Sequence, residues 1–356
     1  MQLSSEEIKY YDRHIKLNEI GLKGQEKLKA AKILVVGAGG LGAPILQYLA
    51  AAGIGNITVV DGDKVEVSNL HRQVLFTTDD VGKFKAEVAV NRLKKQNPFV
   101  NFTVVTQYLD RLNVLELLKM VDIVVDGSDN FATRYLINDA CVLLNKTLVY
   151  GAIHKFEGQV SVFNYQNGPT YRCLFPTPPA PEEMPNCSDI GVLGILPGLI
   201  GTLQATEVIK IILELGEILS GKLLQYNTLS MKQTVLGFGK TEAAKVTDLL
   251  TDYHLFCGEL NLEIEDDYNE ISYETYLEDE SDFELLDVRT TAEHQANNIG
   301  GINIWVNELA SKMSTLPTGK PLLVYCSSGK RSKKAISILR TNGYQNEIFN
   351  LEDGIR

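Results

Sequence analysis

Lys32-Ile33-Leu34-Val35-Val36-Gly37-Ala38-Gly39-Gly40-Leu41-Gly42 reads as a buried strand, a glycine turn and the start of a helix. Ile33 to Val36 suit a strand covered on both faces. Gly37, Gly39 and Gly42 match the G-x-G-x-x-G spacing, with Gly40 inside it. Such a turn lets backbone N–H groups and a helix N-terminus approach phosphate closely. A second strand, Ile57 to Val60, ends in Asp61, which follows the last glycine by 61 − 42 = 19 residues. That is near the ~20 expected for an acid on a ribose hydroxyl. Strand, turn, helix and acid together predict a nucleotide site; the glycines by themselves suit NAD and ATP equally.

Asp63 and the run Val65-Glu66-Val67-Ser68-Asn69-Leu70-His71-Arg72-Gln73 follow the second strand. In an open α/β sheet the carboxyl ends of the strands are where ligands bind. Arg72 and Gln73 are placed to donate to phosphates. Lys85, in Gly82-Lys83-Phe84-Lys85, opens another helix and can reach the same place. Each alone reads as a surface charge; beside the glycine turn they read as a set. Phe102 to Thr106 is expected to be a third strand. Asp122 to Asp126 is expected to be a fourth, ending in Asp126-Gly127-Ser128-Asp129-Asn130. Carboxylates there can hold magnesium through oxygen, and the same residues also read as a turn capping a helix from Ala132. Leu148 to Tyr150 and Gln159 to Phe163 are further strands.

Asn164 to Leu193 carries Pro169, Pro176, Pro178, Pro179, Pro181 and Pro185 and is expected to be irregular. A loop this long in a compact domain is usually functional or mobile. Cys187, in Asn186-Cys187-Ser188-Asp189, reads either as a nucleophile or as a bystander thiol. Gly194 to Leu215 is an apolar, glycine-punctuated, mostly helical stretch.

Acidic residues then cluster at Glu263, Glu265, Asp266 and Asp267. They mark a linker, with domains expected over 1–262 and 263–356. The second domain is a smaller α/β unit. Phe283 to Arg289 and Pro321 to Tyr325 read as strands, and a helix is expected over Lys333 to Arg340. Between them runs Cys326-Ser327-Ser328-Gly329-Lys330-Arg331-Ser332. A cysteine between a strand and a helix N-terminus meets converging N–H groups and two adjacent cations. That setting lowers a thiol pKa and makes a nucleophile.

The net charge of −11 argues against nucleic acid as the main partner. The cysteines are few and scattered: Cys141, Cys173, Cys187, Cys257 and Cys326. An odd count of this kind predicts free thiols in a reducing cytosol. Met1-Gln2-Leu3-Ser4-Ser5-Glu6-Glu7 has no basic or apolar leader pattern, and no run of ~18 apolar residues exists. A cytoplasmic protein without a membrane span is expected.

Residues 1–260 resemble the ubiquitin-activating-like adenylyltransferases of the MoeB and ThiF type. The likeness rests on Tyr11-Asp12-Arg13-His14-Ile15, the glycine turn, Asp61-Gly62-Asp63, Ser68 to Gln73, Gly82 to Lys85 and Asp126 to Asn130. Tyr171-Arg172-Cys173-Leu174-Phe175-Pro176 and Gly191-Val192-Leu193-Gly194 continue it. Residues from 270 on resemble a rhodanese domain, through Leu286-Asp287-Val288-Arg289, Glu293-His294 and the Cys326 loop. The fusion is similar to the MoeZ and Uba-four-type sulfur-carrier activators.

The resemblance implies a Rossmann-like adenylation domain with a mixed sheet, followed by the rhodanese unit. It implies a ubiquitin-fold sulfur carrier whose C-terminal Gly-Gly carboxylate is adenylated by ATP. By analogy Asp61 binds the ribose, Asn69, Arg72 and Lys85 hold phosphates, and Asp129 holds magnesium. Arg13 would reach the partner subunit's site, which implies a homodimer. A persulfide on Cys326, loaded by a sulfur donor, would attack the acyl-adenylate and give a thiocarboxylate for molybdopterin or thiazole synthesis. Cys187 matches the family's crossover-loop cysteine. The family often carries structural zinc on two C-x-x-C pairs. Here these read Thr170-Tyr171-Arg172-Cys173 and His254-Leu255-Phe256-Cys257, and three ligands leave a tetrahedral site incomplete. Zinc is therefore expected to be absent. The rival readings are an NAD-linked oxidoreductase, a relative that adenylates another carboxylate or a tRNA, and a binding scaffold with dead sites.

Overall fold

The computed structural model describes residues 2–179, 191–257 and 269–355, in two compact units, 1–259 and 260–356. Cys187 and the expected 262/263 boundary lie outside the described residues.

The first unit is built on one sheet in the order β3-β2-β1-β4-β5-β6-β7-β8. The strands are β1 Lys32–Val36, β2 Asn56–Val60, β3 Asn101–Val105, β4 Ile123–Asp126, β5 Thr147–His154, β6 Glu157–Phe163, β7 Lys222–Asn227 and β8 Lys232–Gly237. β3 to β5 in that order are parallel; β6, β7 and β8 continue antiparallel. The period of two in β1 divides the core between the two faces. Ile33 and Val35 pack with Leu46, Leu49 and Leu93 on one side. Leu34 and Val36 pack with Tyr135, Ile137 and Leu148 on the other.

The chain turns from β1 into the helix Gly42–Ala52 through Gly37, whose φ of 88° is left-handed. A Cβ on Gly37 would stand 2.8 Å from the Gly127 carbonyl oxygen. The turn after β1 and the turn after β4 therefore lie backbone to backbone. They meet where the strand order reverses, the position at which such sheets bind ligands. Gly53, in the left-handed conformation, ends the helix.

The apolar stretch after Gly194 forms the helix Leu196–Leu213, which packs on the helix Gly42–Ala52 and on β5 and β6. By length and a mean hydropathy of 1.4 it would pass as a membrane span, yet half of it is buried. It is the core helix of this layer. The hairpin β7–β8 was not foreseen. Every position of β8 is exposed, so it shows no half-buried alternation.

The second unit is a parallel sheet ordered β11-β10-β12-β13-β9. Its strands are β9 Asn269–Ile271, β10 Glu284–Asp287, β11 Ile302–Asn303, β12 Leu322–Tyr325 and β13 Ile348–Leu351. The helix after the Cys326 loop spans Lys330–Thr341. It starts three residues before the expected Lys333, because left-handed Gly329, with φ of 75°, closes the loop early.

Candidate functional site

Asp61 fastens β2 to the glycine turn. Its carboxylate accepts the Ala38 N–H at 2.7 Å and the Asp63 N–H at 2.8 Å. Burial pushes this acid up, against the pull of the Ala38 N–H and of the Lys85 ammonium. Each oxygen keeps a second lone pair for a ligand hydroxyl. The Asp63 carboxylate takes the Lys85 ammonium at 2.8 Å, and the Lys85 N–H donates to the Asp63 carbonyl at 2.9 Å. Lys85 begins the helix Lys85–Gln96 and is buried.

Gly39 and Gly40 face the polar run after β2. A Cβ on Gly39 would stand 3.3 Å from Gln73 Nε2, and one on Gly40 would stand 3.8 Å from Arg72 Cγ. Gly39 therefore packs close to Gln73, and Gly40 packs on Pro197 with the Arg72 stem beside it. Gln73 is buried and its Oε1 has no hydrogen-bond partner. Arg72 donates to the Ser68 carbonyl at 2.9 Å, and Asn69 is buried beneath the same turn. A glycine turn edged with an arginine and amide donors suits the binding of a polyphosphate.

On the other side, Asn130 caps the helix Phe131–Leu143, accepting the Thr133 N–H at 2.8 Å. The cap reading of this turn is correct, and Asp129 still faces solvent. Asp126 Oδ1 accepts the Ser128 N–H at 2.9 Å and its hydroxyl at 2.6 Å, while Oδ2 has no hydrogen-bond partner. Complete burial pushes Asp126 up, against the charge of Arg134. Among the described residues no three His, Cys, Asp or Glu side chains gather as a metal cluster. A magnesium ion held by one carboxylate plus substrate phosphates and water needs no such cluster.

The sequence-predicted set at Gly37, Gly39, Gly40, Gly42, Asp61, Asp63, Ser68, Asn69, Arg72, Gln73, Lys85, Asp129 and Asn130 thus falls around one crevice edge. Arg13 does not join it. It is exposed on the helix Asp12–Ile15. The neighbouring Tyr11 accepts from Asn97 Nδ2 at 2.9 Å and packs at Gly53. Gly53 lies at the far end of an 11-residue helix, about 16 Å from the glycine turn at 1.5 Å per residue. Tyr108 joins the set unforeseen. Its hydroxyl donates to Asp63 Oδ1 at 2.6 Å, and Asp63 pushes the phenol up to about 12. The signal available was its place just past the carboxyl end of β3.

In the second unit Cys326 directly follows β12 and is fully buried. Its Sγ lies 3.6 Å from the Ser332 hydroxyl, in the first turn of the helix Lys330–Thr341. The Ile355 N–H donates to the Cys326 carbonyl at 2.8 Å. Arg331 grips Glu293 with two bonds of 2.9 and 2.8 Å and also donates to Ser327 at 3.1 Å. The Arg331 guanidinium carries Glu293 down to about 2. Behind the loop, buried Asp287 takes Arg289 at 2.6 Å and His294 at 2.9 Å.

Arg172 and Phe256, one residue from each half-pair of the zinc pattern, pack together beside Asp139. Arg172 makes two 2.7 Å bonds to buried Asp139. Its guanidinium lies over the rings of Tyr135 and Phe256 at 4.9 and 5.0 Å. The Tyr253 hydroxyl donates to Asp139 at 2.8 Å. Cys173 stays a free thiol; burial raises it, but donors at Thr170 and Thr241 carry it net downward. Asp139→Asn leaves the guanidinium without its counter-charge. Removing one partner of a buried pair is expected to lower stability by about 3–5 kcal/mol, read as a shifted urea midpoint. An unchanged midpoint contradicts this.

The profile of the ThiF family matches residues 11–246, and that of the rhodanese-like domain matches residues 272–356. A sulfur carrier protein adenylyltransferase of Thermus thermophilus is 49% identical, over 72% of this chain and 99% of its own. The probable adenylyltransferase/sulfurtransferase MoeZ of Mycobacterium tuberculosis is 38% identical, over 99% of this chain and 93% of its own. The adenylyltransferase and sulfurtransferase MOCS3 of Drosophila grimshawi is 39% identical, over 99% and 84%. Among solved structures, E. coli MccB bound to MccA-N7isoASN superposes with a TM-score of 0.59 at 26% identity, over 67% of this chain and 73% of that one.

Proposed function

This chain belongs to the ThiF family and carries a rhodanese-like domain after it, and from that pairing we propose ATP-dependent adenylation of a ubiquitin-like sulfur-carrier protein followed by sulfur transfer. The observation that carries the first step is the gathering of Arg72 and Gln73 at the bare glycine turn, with Lys85 on Asp63 next to Asp61, the acid bonded to that turn. A hydride-transfer site has no need of that cation set.

The carrier's C-terminal glycine carboxylate attacks the α-phosphorus of ATP, and pyrophosphate leaves. Positioning and charge neutralisation supply most of such a rate. Asp61 would hold the ribose hydroxyl. Asn69, Arg72, Gln73 and Lys85 would hold phosphate oxygens, with the amides after Gly37. Asp129 would hold magnesium, which would supply positive charge against the phosphates. The acyl-adenylate is then attacked by the terminal sulfur of a Cys326 persulfide, and AMP leaves. The product is an acyl disulfide between carrier and Cys326. A second thiolate, for which Cys187 is the candidate, attacks the Cys326 sulfur. It releases the thiocarboxylate and leaves a disulfide for an external thiol to reduce. The persulfide sulfur comes from a separate donor.

We also propose a homodimer in which Arg13 serves the partner's crevice. Its support is the distance of Arg13 from its own crevice and the apolar surface nearby. Tyr48 is 56% exposed and borders a cavity of about 200 Å³ shared with His14, Thr202 and Ile209. Light scattering that gives a monomer mass at working concentrations would reject this. A cytoplasmic location fits the thiols Cys141, Cys173 and Cys326, which form no disulfide.

The test of the first step is ATP–pyrophosphate exchange with ubiquitin-fold proteins that end in Gly-Gly. Exchange that depends on one such carrier is expected, and that carrier assigns the pathway, molybdopterin or thiamine synthesis among them. Absence of exchange with all of them would sink the carrier reading.

A further inference from the structure

Tyr108 stands out as an exposed ring that is nevertheless held at both ends. Its exposure is 68%. Its root packs on Gly62, where a Cβ would stand 2.9 Å from the Tyr108 nitrogen and 3.0 Å from its Cγ. Its hydroxyl donates to Asp63 Oδ1 at 2.6 Å, and Asp63 Oδ2 takes the Lys85 ammonium at 2.8 Å. Ordering a side chain costs rotamer entropy, and here little apolar area is buried in return. The ring also sits within electrostatic reach of Asp61, just past β2, and of Asp129, in the turn after β4. A phenol is protonated at neutral pH, and Asp63 raises this one further, so the hydroxyl is a donor. An aromatic face is thus fixed and left open next to the acid suited to a ribose.

We infer that Tyr108 forms the nucleoside wall of the ATP site, its ring packing on the adenine while the Asp63 bond fixes its orientation. The inference rests on the adenylation reading. The chain beyond β3 lies on the β2–β3 side of Asp61, away from the glycine turn. A ribose on Asp61 with its phosphates over Gly39 and Gly40 therefore directs the base toward the β3 end. A base has two π-faces and stacks on a tyrosine without hydrogen-bond readout. Tyr108 takes no part in the chemical step; it is a residue that positions the nucleotide.

The test compares ATP with inorganic triphosphate by calorimetry on the full chain, using wild type, Tyr108→Ala and Tyr108→Phe. Tyr108→Ala is expected to weaken ATP on the order of tenfold and to leave triphosphate binding unchanged. In the exchange assay its KM for ATP rises while kcat is kept. Tyr108→Phe, which keeps the ring, restores most of the ATP affinity. If the nucleotide-free Tyr108→Ala chain melts lower than wild type, Tyr108→Phe and Tyr108→Leu replace it, with the leucine variant expected to show the loss. Equal ATP affinity in the ring-deleted variant and wild type would overturn the assignment alone. So would parallel loss of ATP and triphosphate. A wild-type chain that binds no ATP would overturn the adenylation reading with it.

Discussion

Lys85→Ala lowers carrier-dependent ATP–pyrophosphate exchange by about 10²–10³-fold, the range found when one preorganised donor to a developing charge is removed. The argument begins with burial. Lys85 is 6% exposed and opens the helix Lys85–Gln96, so its ammonium is delivered to the crevice by a rigid element. It pairs with Asp63 at 2.8 Å, and its charge reaches Asp61. A triphosphate in that space brings more negative charge than Asp63 and draws the ammonium to it. Without the ammonium, the phosphates meet Asp61 and Asp63 uncompensated. Water-excluded charges interact far more strongly than exposed ones, so the loss exceeds that of a surface lysine. Lys83, two residues earlier and exposed, is the control: Lys83→Ala leaves exchange within about twofold, as surface charges contribute little. A Lys85→Ala enzyme with wild-type exchange would remove Lys85 from the phosphate set.

Cys326→Ala separates the two steps. It abolishes carrier thiocarboxylate formation, because no other group can present a persulfide in that loop. It leaves ATP–pyrophosphate exchange intact, because Cys326 belongs to the unit 260–356 and the glycine turn to the unit 1–259. Cys326 is fully buried with its carbonyl bonded by Ile355 at 2.8 Å. Alanine removes only the sulfur from a packed site, a stability cost on the order of 1 kcal/mol, typical of point substitutions. A melting profile like wild type shows that the loss is chemical. Thiocarboxylate formed at the wild-type rate by Cys326→Ala would move the sulfur-bearing group elsewhere.

The two halves of the first site were legible in the sequence to different degrees. Ile33 to Val36 are apolar without alternation, as a strand covered on both faces must be. The glycine spacing after them has few other uses. Asp61, Arg72, Lys85 and Asp129 stood out as candidates because each is a polar residue near the end or start of an element, where the parallel sheet collects its loops. Tyr108 did not. It is uncharged and flanked by ordinary residues, and its role is set by the approach of Gly62, 46 positions away by 108 − 62 = 46. The Arg172–Asp139 pair was hidden for the same reason, being 33 residues apart. The start of the helix Lys330–Thr341 was missed because Ser327, Ser328, Gly329 and Lys330 read as loop by composition. Only the left-handed φ of Gly329 shows where the loop ends.

The central claim is that one chain both activates the carrier and sulfurises it. The measurement that reaches it most directly is a single turnover. The full chain is loaded with isotopically labelled persulfide sulfur, mixed with the carrier identified by exchange, and the carrier's intact mass is read with and without ATP. The account predicts labelled sulfur in place of one C-terminal carboxylate oxygen, only with ATP and only while Cys326 is present. ATP converted to AMP with the carrier's C-terminus still an unlabelled carboxylate would contradict it.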